Sequence, residues 1–278
     1  MHAAIDFGIS NIDAVARIDG QIRRWTRASD GAPDELLLRA VLTQGGLDLS
    51  RLDQIAVTGG RHRALPQQIG ECAIIRVGEV QAIGRGGQAL AELTNQQRAA
   101  ALLIVSAGSG TAVVVARGDA FAHVTGSAVG GGTLLGLGRL LLNTADPHEI
   151  DALALRGDPN GADLSLSDVI SGPIGALPAD ATAVNFGRVA RESRAFKRED
   201  LAAALVTLVG QVLAVIAINA ARAQQTEQIV VIGHLTDLPS VRQVLLRVGD
   251  YYGMPLMLPT NAGYATAVGA LLCAEQPA

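Results

Sequence analysis

Short apolar runs rich in Val, Ile and Ala alternate along the chain with longer stretches in which apolar positions recur every three or four residues, so strands and helices alternate. At the start, an apolar strand delivers Asp6 into a turn at Gly8, Ile9, Ser10 and Asn11. A second strand runs from Asp13 to Ile18, Asp19 and Gly20 make a tight hairpin turn, and a third strand carries Trp25. Leu36, Leu37, Ala40 and Val41 fall on one face of a helix over 34–46, and Gln54 to Thr58 reads as a buried strand ending at Gly59 and Gly60. Another strand ends at Val77 and Gly78 and passes into a helix with Glu79 at its start. In the middle, a strand from Leu102 to Ser106 turns through Gly108 to Thr111 and returns over Ala112 to Ala116, a hairpin with a glycine tip. Gly130, Gly131, Gly132 and Thr133 then open into an apolar helix, Leu134 to Leu142. The second half holds a long small-residue helix (Leu201 to Gln224), a strand from Gln228 to Ile232 ending at Gly233 and His234, and a helix near Val241 to Val248. An edge strand over 253–258 and a final apolar helix after Tyr264 complete it.

The pattern is that of layered α/β structure, and 278 residues is long for one core, so two lobes are expected. The polar stretch from Gln96 to Ala100 is the expected divide, giving lobes of 1–98 and 99–278, with the final helix crossing back to the first. Hydrophobic residues make up 49% of the chain and aromatics 3%, which describes a core of Ala, Val, Leu and Ile. A net charge of −4, no basic block and few aromatics argue against a nucleic-acid partner. No apolar run is read as reaching the length of a membrane span, and the first residues lack an export signal, so the expected location is the cytoplasm. Cys72 and Cys273 suggest neither a disulfide framework nor a metal site.

Candidate chemistry gathers at the turns. Backbone N–H groups at the Gly130 to Thr133 helix start favour an anion, and the Ser109 hairpin offers a second phosphate-sized cradle about twenty residues away. Asp6, at the end of the first strand, either caps its turn or positions a Mg²⁺-bound water while the turn's amides face phosphate. Glu79, just past a strand's carboxyl end, either complements its helix dipole or serves as general base for a hydroxyl acceptor.

In order along the chain, Ser106 to Thr111, His123 to Leu141, Asp163 to Asp168, Val184 to Arg188 and Gly263 to Ala270 resemble the type II pantothenate kinases, within the actin-like and hexokinase-like nucleotide-binding superfamily. The resemblance implies a two-lobed fold of the ribonuclease H-like type clasping ATP in an interlobe cleft, and transfer of the γ-phosphoryl group to pantothenate at the start of coenzyme A biosynthesis. It also implies Glu79 as the base, and Gly8, Ser10, Gly130, Gly131, Gly132 and Thr133 around the nucleotide phosphates. Gly233 would lie against adenine, Ser109 and Thr111 would hold acceptor or phosphate oxygens, and Asp6 would hold Mg²⁺ through water. A homodimer and a coenzyme A or acyl-CoA ligand are further expectations. Two positions depart from the family pattern: Asp13 stands where the first turn usually ends in Lys, and His123 stands where the family carries Arg near the reacting groups. An uncharged imidazole is a weaker stabiliser of transferring phosphoryl charge than a guanidinium, with Arg85 and Arg139 the cations left to compensate. Another alcohol acceptor, pantetheine or a sugar, and a catalytically weak binder of nucleotide or coenzyme A are the alternatives.

Overall fold

The computed structural model describes all of the chain except residues 30, 61, 92–99, 172–173, 176 and 276–278. The expected divide at Gln96 to Ala100 therefore lies outside the described residues but for Ala100. Six strands form the first sheet: β1 (His2–Phe7), β2 (Asn11–Ile18), β3 (Gln21–Ala28), β4 (Gln54–Gly59), β5 (Gln68–Ile69) and β6 (Cys72–Arg76), in the order β3-β2-β1-β4-β6-β5. Here β1 pairs antiparallel with β2 and parallel with β4, and β4 runs parallel to β6. The second sheet holds β7 (Leu102–Ala107), β8 (Thr111–Arg117) and β9 (Ala120–Ser127), with β12 (Ile229–Ile232) and β13 (Leu256–Met257), in the order β13-β12-β7-β8-β9. Between them in sequence, β10 (Leu164–Ser165) and β11 (Thr182–Val184) make a small ribbon. Both large sheets share one plan, an antiparallel triplet whose first strand is flanked on its other side by a parallel neighbour.

Alternation along β1 and β2 sends the apolar side chains to both faces. Ile5, Ile12 and Ala14 meet Leu38, Val41 and Leu42 of α1 (Glu35–Gln44), while Ala4 and Val15 meet Ala267, Val268 and Leu271 of the last helix. The remaining helices are α2 (Glu79–Leu90), α3 (Gly131–Leu142), α4 (Pro147–Ala154), α5 (Leu166–Val169), α6 (Arg198–Ala223), α7 (Pro239–Tyr251) and α8 (Ala265–Glu275). Helices α2 and α8 touch through backbone: a Cβ on Gly86 would lie 1.9 Å from the Ala265 carbonyl oxygen, and one on Gly269 1.9 Å from that of Ala82. Only glycine admits that approach. Ile83 of α2 meanwhile packs with Leu102, Ile104 and Val114 of the second sheet. The pair of helices thus lies between the two sheets.

One sequence expectation is overturned here. Helix α6 is long and apolar enough to cross a membrane, because Leu201 to Ala221 carries no charge. Two thirds of its most apolar stretch is buried, with Leu205, Val209, Leu213 and Ala217 in the core of the second sheet, which is why so apolar a helix forms within the fold. The edge strand expected over 253–258 shortens to Leu256–Met257.

Candidate active site

Asp6 and Asp13 face each other across the β1–β2 ladder, and Thr58 is the register partner of Asp6 on β4. They share the sheet face of Ala4 and Val15, the one turned towards α8. Asp13 is 6% exposed and Thr58 is fully buried, its hydroxyl without a hydrogen-bond partner among the described residues. Burial, then the charges of Asp13 and Glu79, push the Asp6 carboxyl up to about 7, with His234 opposing. Glu79 is the first residue of α2, exposed, and among the described residues no hydrogen bond or ion pair holds its side chain.

From the second sheet comes a cation that the sequence did not advertise. His234 opens the turn after β12, its Nε2 lies 2.8 Å from Asp13 Oδ1 and its Nδ1 lies 2.7 Å from Asp237 Oδ2. Tyr264 packs edge-on to the ring at 5.7 Å. Burial disfavours the charged ring, but the two carboxylates more than offset it and hold the His234 pKa up at about 10.

The two turn tips also meet. Ser10 Oγ and Ser109 Oγ are 2.7 Å apart although 99 residues separate them. Gly59, at φ +91°, is pressed against the Phe7 carbonyl, where a Cβ would lie 2.5 Å from its oxygen and 2.6 Å from Asp6 Oδ1. Gly233, at φ +102°, approaches the end of β7 as closely: a Cβ there would be 2.4 Å from the Ala107 oxygen. Asp6, the Gly8 to Ser10 turn, Ser109 and Gly233 thus converge between the sheets, and Glu79 is near enough for its charge to act on Asp6.

Two expectations are corrected at the start of α3. The amides of Gly131 and Gly132 are not free: they donate to the Gly108 and Ser109 carbonyls at 2.8 and 2.9 Å, and the Gly130 amide faces Thr133 Oγ1 at 3.4 Å. The hairpin tip occupies the helix N-terminus as an anion would. Thr111, 6% exposed, spends its hydroxyl on the Val129 carbonyl at 2.7 Å, so it stitches the hairpin to the α3 approach instead of facing the cleft.

His123 is exposed on β9, opposite Val114 at a bulge, and among the described residues its side chain has no hydrogen-bond partner. Of the expected substitute cations, Arg85 faces Asp119 at 3.4 Å, and Arg139 is exposed in the last turn of α3.

The residues present fit a hydrated divalent cation. Asp6 lies within electrostatic reach of the Asp13 and Glu79 carboxylates, with His234 opposing them, and among the described residues the Thr58 hydroxyl beside Asp6 lacks a partner. No cluster of three or more His, Cys, Asp or Glu is disposed to cage a metal among the described residues. That donor set suits an ion held through water and shared with phosphates, the usual manner for Mg²⁺.

The Fumble family model matches residues 79–273. A type II pantothenate kinase of Oceanobacillus iheyensis is 30% identical over 225 residues, 81% of this chain and 83% of that one. One from Bacillus cereus is 27% identical over 227 residues with the same coverage. Among solved structures, the activator of the 2-hydroxyisocaproyl-CoA dehydratase from Clostridium difficile, with bound ADPNP, superposes at a TM-score of 0.67 over 98% of this chain and 93% of that one, at 17% identity. The ROK hexokinase from Thermus thermophilus gives 0.57 over 97% and 96%, at 15% identity. The fold is therefore the two-lobed one of the actin-like and hexokinase-like ATPases.

Proposed function

This chain belongs to the Fumble family, that of the type II pantothenate kinases, and from that premise we propose that it transfers the γ-phosphoryl group of ATP to the primary hydroxyl of pantothenate, the first step of coenzyme A biosynthesis. The observation that carries the reading is the convergence of Asp6, Glu79 and the Ser10 and Ser109 tips from the two sheets, in a chain whose pantothenate-kinase relatives match four-fifths of it.

Phosphoryl transfer asks little covalent chemistry of the protein; it asks for alignment, a base and charge compensation. Glu79, unencumbered at the start of α2, accepts the hydroxyl proton as the acceptor oxygen attacks phosphorus. Asp6 would hold Mg²⁺ through water, and the ion would offset phosphate charge. The turn from Gly8 to Ser10 faces the phosphates, and the Gly130 to Thr133 segment backs the Ser109 tip, its Gly131 and Gly132 amides holding the Gly108 and Ser109 carbonyls. Ser109 serves acceptor or phosphate oxygens, Gly233 leaves room for adenine against the backbone, and His123 stands near the reacting groups. The division into lobes of 1–98 and 99–278 belongs to the same reading. So does a cytoplasmic homodimer that takes coenzyme A or an acyl-CoA as a further ligand and has no nucleic-acid or membrane partner; a monomeric mass by light scattering at micromolar protein rejects the dimer.

His123 in place of the family's Arg favours one second reading, a kinase of the same fold acting on another alcohol. A coupled ADP-release assay over pantothenate, pantetheine and hexoses separates the two. The proposal expects pantothenate to give the highest kcat/KM, and a higher value for any other acceptor rejects it.

A further inference from the structure

Among the described residues, a Ser10–Ser109 contact and an Asp13–His234 contact join the two sheets at the cleft, and their chemistry differs. Ser10 to Ser109 is a contact between neutral hydroxyls on exposed tips. Asp13 to His234 is charged, and Asp13 is 6% exposed, so its carboxylate has little water to replace a lost partner. The imidazole carries only one N–H when neutral, yet both of its nitrogens lie within hydrogen-bond distance of carboxylates, Nε2 with Asp13 and Nδ1 with Asp237. With both carboxylates ionised, both contacts are satisfied together only by the charged ring. The ring is fixed on its remaining sides as well: Tyr264 meets it edge-on, and a Cβ on Gly263 would lie 2.3 Å from its Cε1 and Nδ1, so the chain passes directly beneath it.

The position of the pair matters as much as its strength. Asp13 is three residues beyond Ser10 and in register with Asp6, so it moves with the first turn. His234 adjoins Gly233, whose amide is tied to the Ala262 carbonyl at 2.9 Å, so it moves with the end of β12. Asp13 without His234 would face Asp6 as a like charge directly across the ladder, a destabilising arrangement.

We infer that the Asp13–His234 pair is an interlobe clasp that sets the spacing between the first turn, Gly8 to Ser10, and the Gly233 loop, making both residues positioning residues for the phosphoryl donor. The inference rests on the ATP-dependent phosphotransferase reading. It explains why an anion is tolerated at position 13: the compensating cation is supplied by the facing lobe. It also separates donor from acceptor, because among the described residues the pair's hydrogen bonds run to each other and to Asp237, not to Glu79 or His123.

The test is a cycle of Asp13→Asn, His234→Gln and the double variant in the full chain, read by steady-state kinetics and by amide hydrogen exchange without ligand. Each single variant is expected to raise KM for ATP about tenfold, with KM for the acceptor and kcat changed far less, and the double variant is expected to be no worse than either single. Exchange over residues 8–13 and 233–237 should quicken in both singles. Asp13→Lys alone should also raise KM for ATP, since it sets an ammonium against the imidazolium, whereas Asp13→Lys combined with His234→Asp should recover most of the loss. An ATP KM unchanged in the singles overturns the positioning role, even with faster exchange. Additive effects in the double variant, or an improved ATP KM from Asp13→Lys alone, overturn the clasp. Should the wild type bind no nucleotide, the functional reading falls on its own, and unchanged exchange in the singles still overturns the clasp.

Discussion

Replacing Gly130 with alanine isolates the contact between the hairpin tip and α3. The Gly130 backbone is extended, at φ 178°, so alanine meets no conformational objection there. The added methyl would lie 2.8 Å from Gly110 Cα and Ser109 O and 2.9 Å from Gly108 O. Ordinary contact is about 3.5 Å, so the tip must retreat by roughly half an ångström or more. That movement pulls directly on the Gly108 and Ser109 carbonyls that accept from Gly131 and Gly132. Weakening two such hydrogen bonds costs about 1 kcal/mol each, and overpacking adds about 1–3 kcal/mol, for a total near 3–5 kcal/mol. In a chain of this length, at about 2 °C per kcal/mol, the melting temperature should fall by roughly 6–10 °C. Gly136→Ala is the internal control: it lies in the same helix, is exposed, and a Cβ there meets nothing within 4 Å. Removing that flexible residue from a helix interior should stabilise by about 0.5–1 kcal/mol. Differential scanning fluorimetry of both variants gives the answer. A Gly130→Ala protein melting at or above the wild type refutes the packing argument, whatever Gly136→Ala does.

Raising pH should loosen the interlobe contact. The His234 pKa is raised from its ordinary 6.5 to about 10, so the folded state holds a proton that the unfolded chain has released between those values; the stabilisation is whole below about 6.5 and is lost as pH climbs through about 10. Thermal melts from pH 6 to 10 should show that alkaline decline in the wild type and a shallower one in His234→Gln, and equal slopes would contradict the assignment. His123→Arg should raise turnover on pantothenate by restoring a permanent charge where the family carries one, by an amount approaching the hundredfold that one good donor is worth. Unchanged or reduced turnover would point to a pocket rebuilt around imidazole for another acceptor.

Local pattern made much of the fold legible. Asp19 and Gly20 both take positive φ, as their hairpin requires, and the helix read over 34–46 forms from Glu35 to Gln44 with Asp34 capping the Leu37 amide. The register of Asp6 against Asp13 also follows from a tight turn at Gly8 to Ser10. The features that escaped are those made by distant partners. The amides at Gly131 and Gly132 read as free because the carbonyls that fill them belong to a hairpin tip more than twenty residues earlier. The counter-charge of Asp13 lies 221 residues away, and no local signal marks His234 as its partner. Helix α4 was missed despite Asp146 capping its start and Pro147 at its first position, a signal that was present in the sequence. The uncharged run in α6 was misjudged by length alone, although its small residues do fit the close packing found.

The central claim is that Glu79 takes the acceptor's proton in an ATP-dependent phosphorylation of pantothenate. The most direct measurement follows ADP and phosphopantothenate together, by mass spectrometry, for the wild type and for Glu79→Gln, with nucleotide affinity measured by calorimetry on both. The account predicts one phosphopantothenate per ADP from the wild type, and a kcat lowered by roughly a hundredfold or more in Glu79→Gln at nearly unchanged ATP affinity. Equal turnover by Glu79→Gln, or ADP released by the wild type without phosphopantothenate, would contradict it.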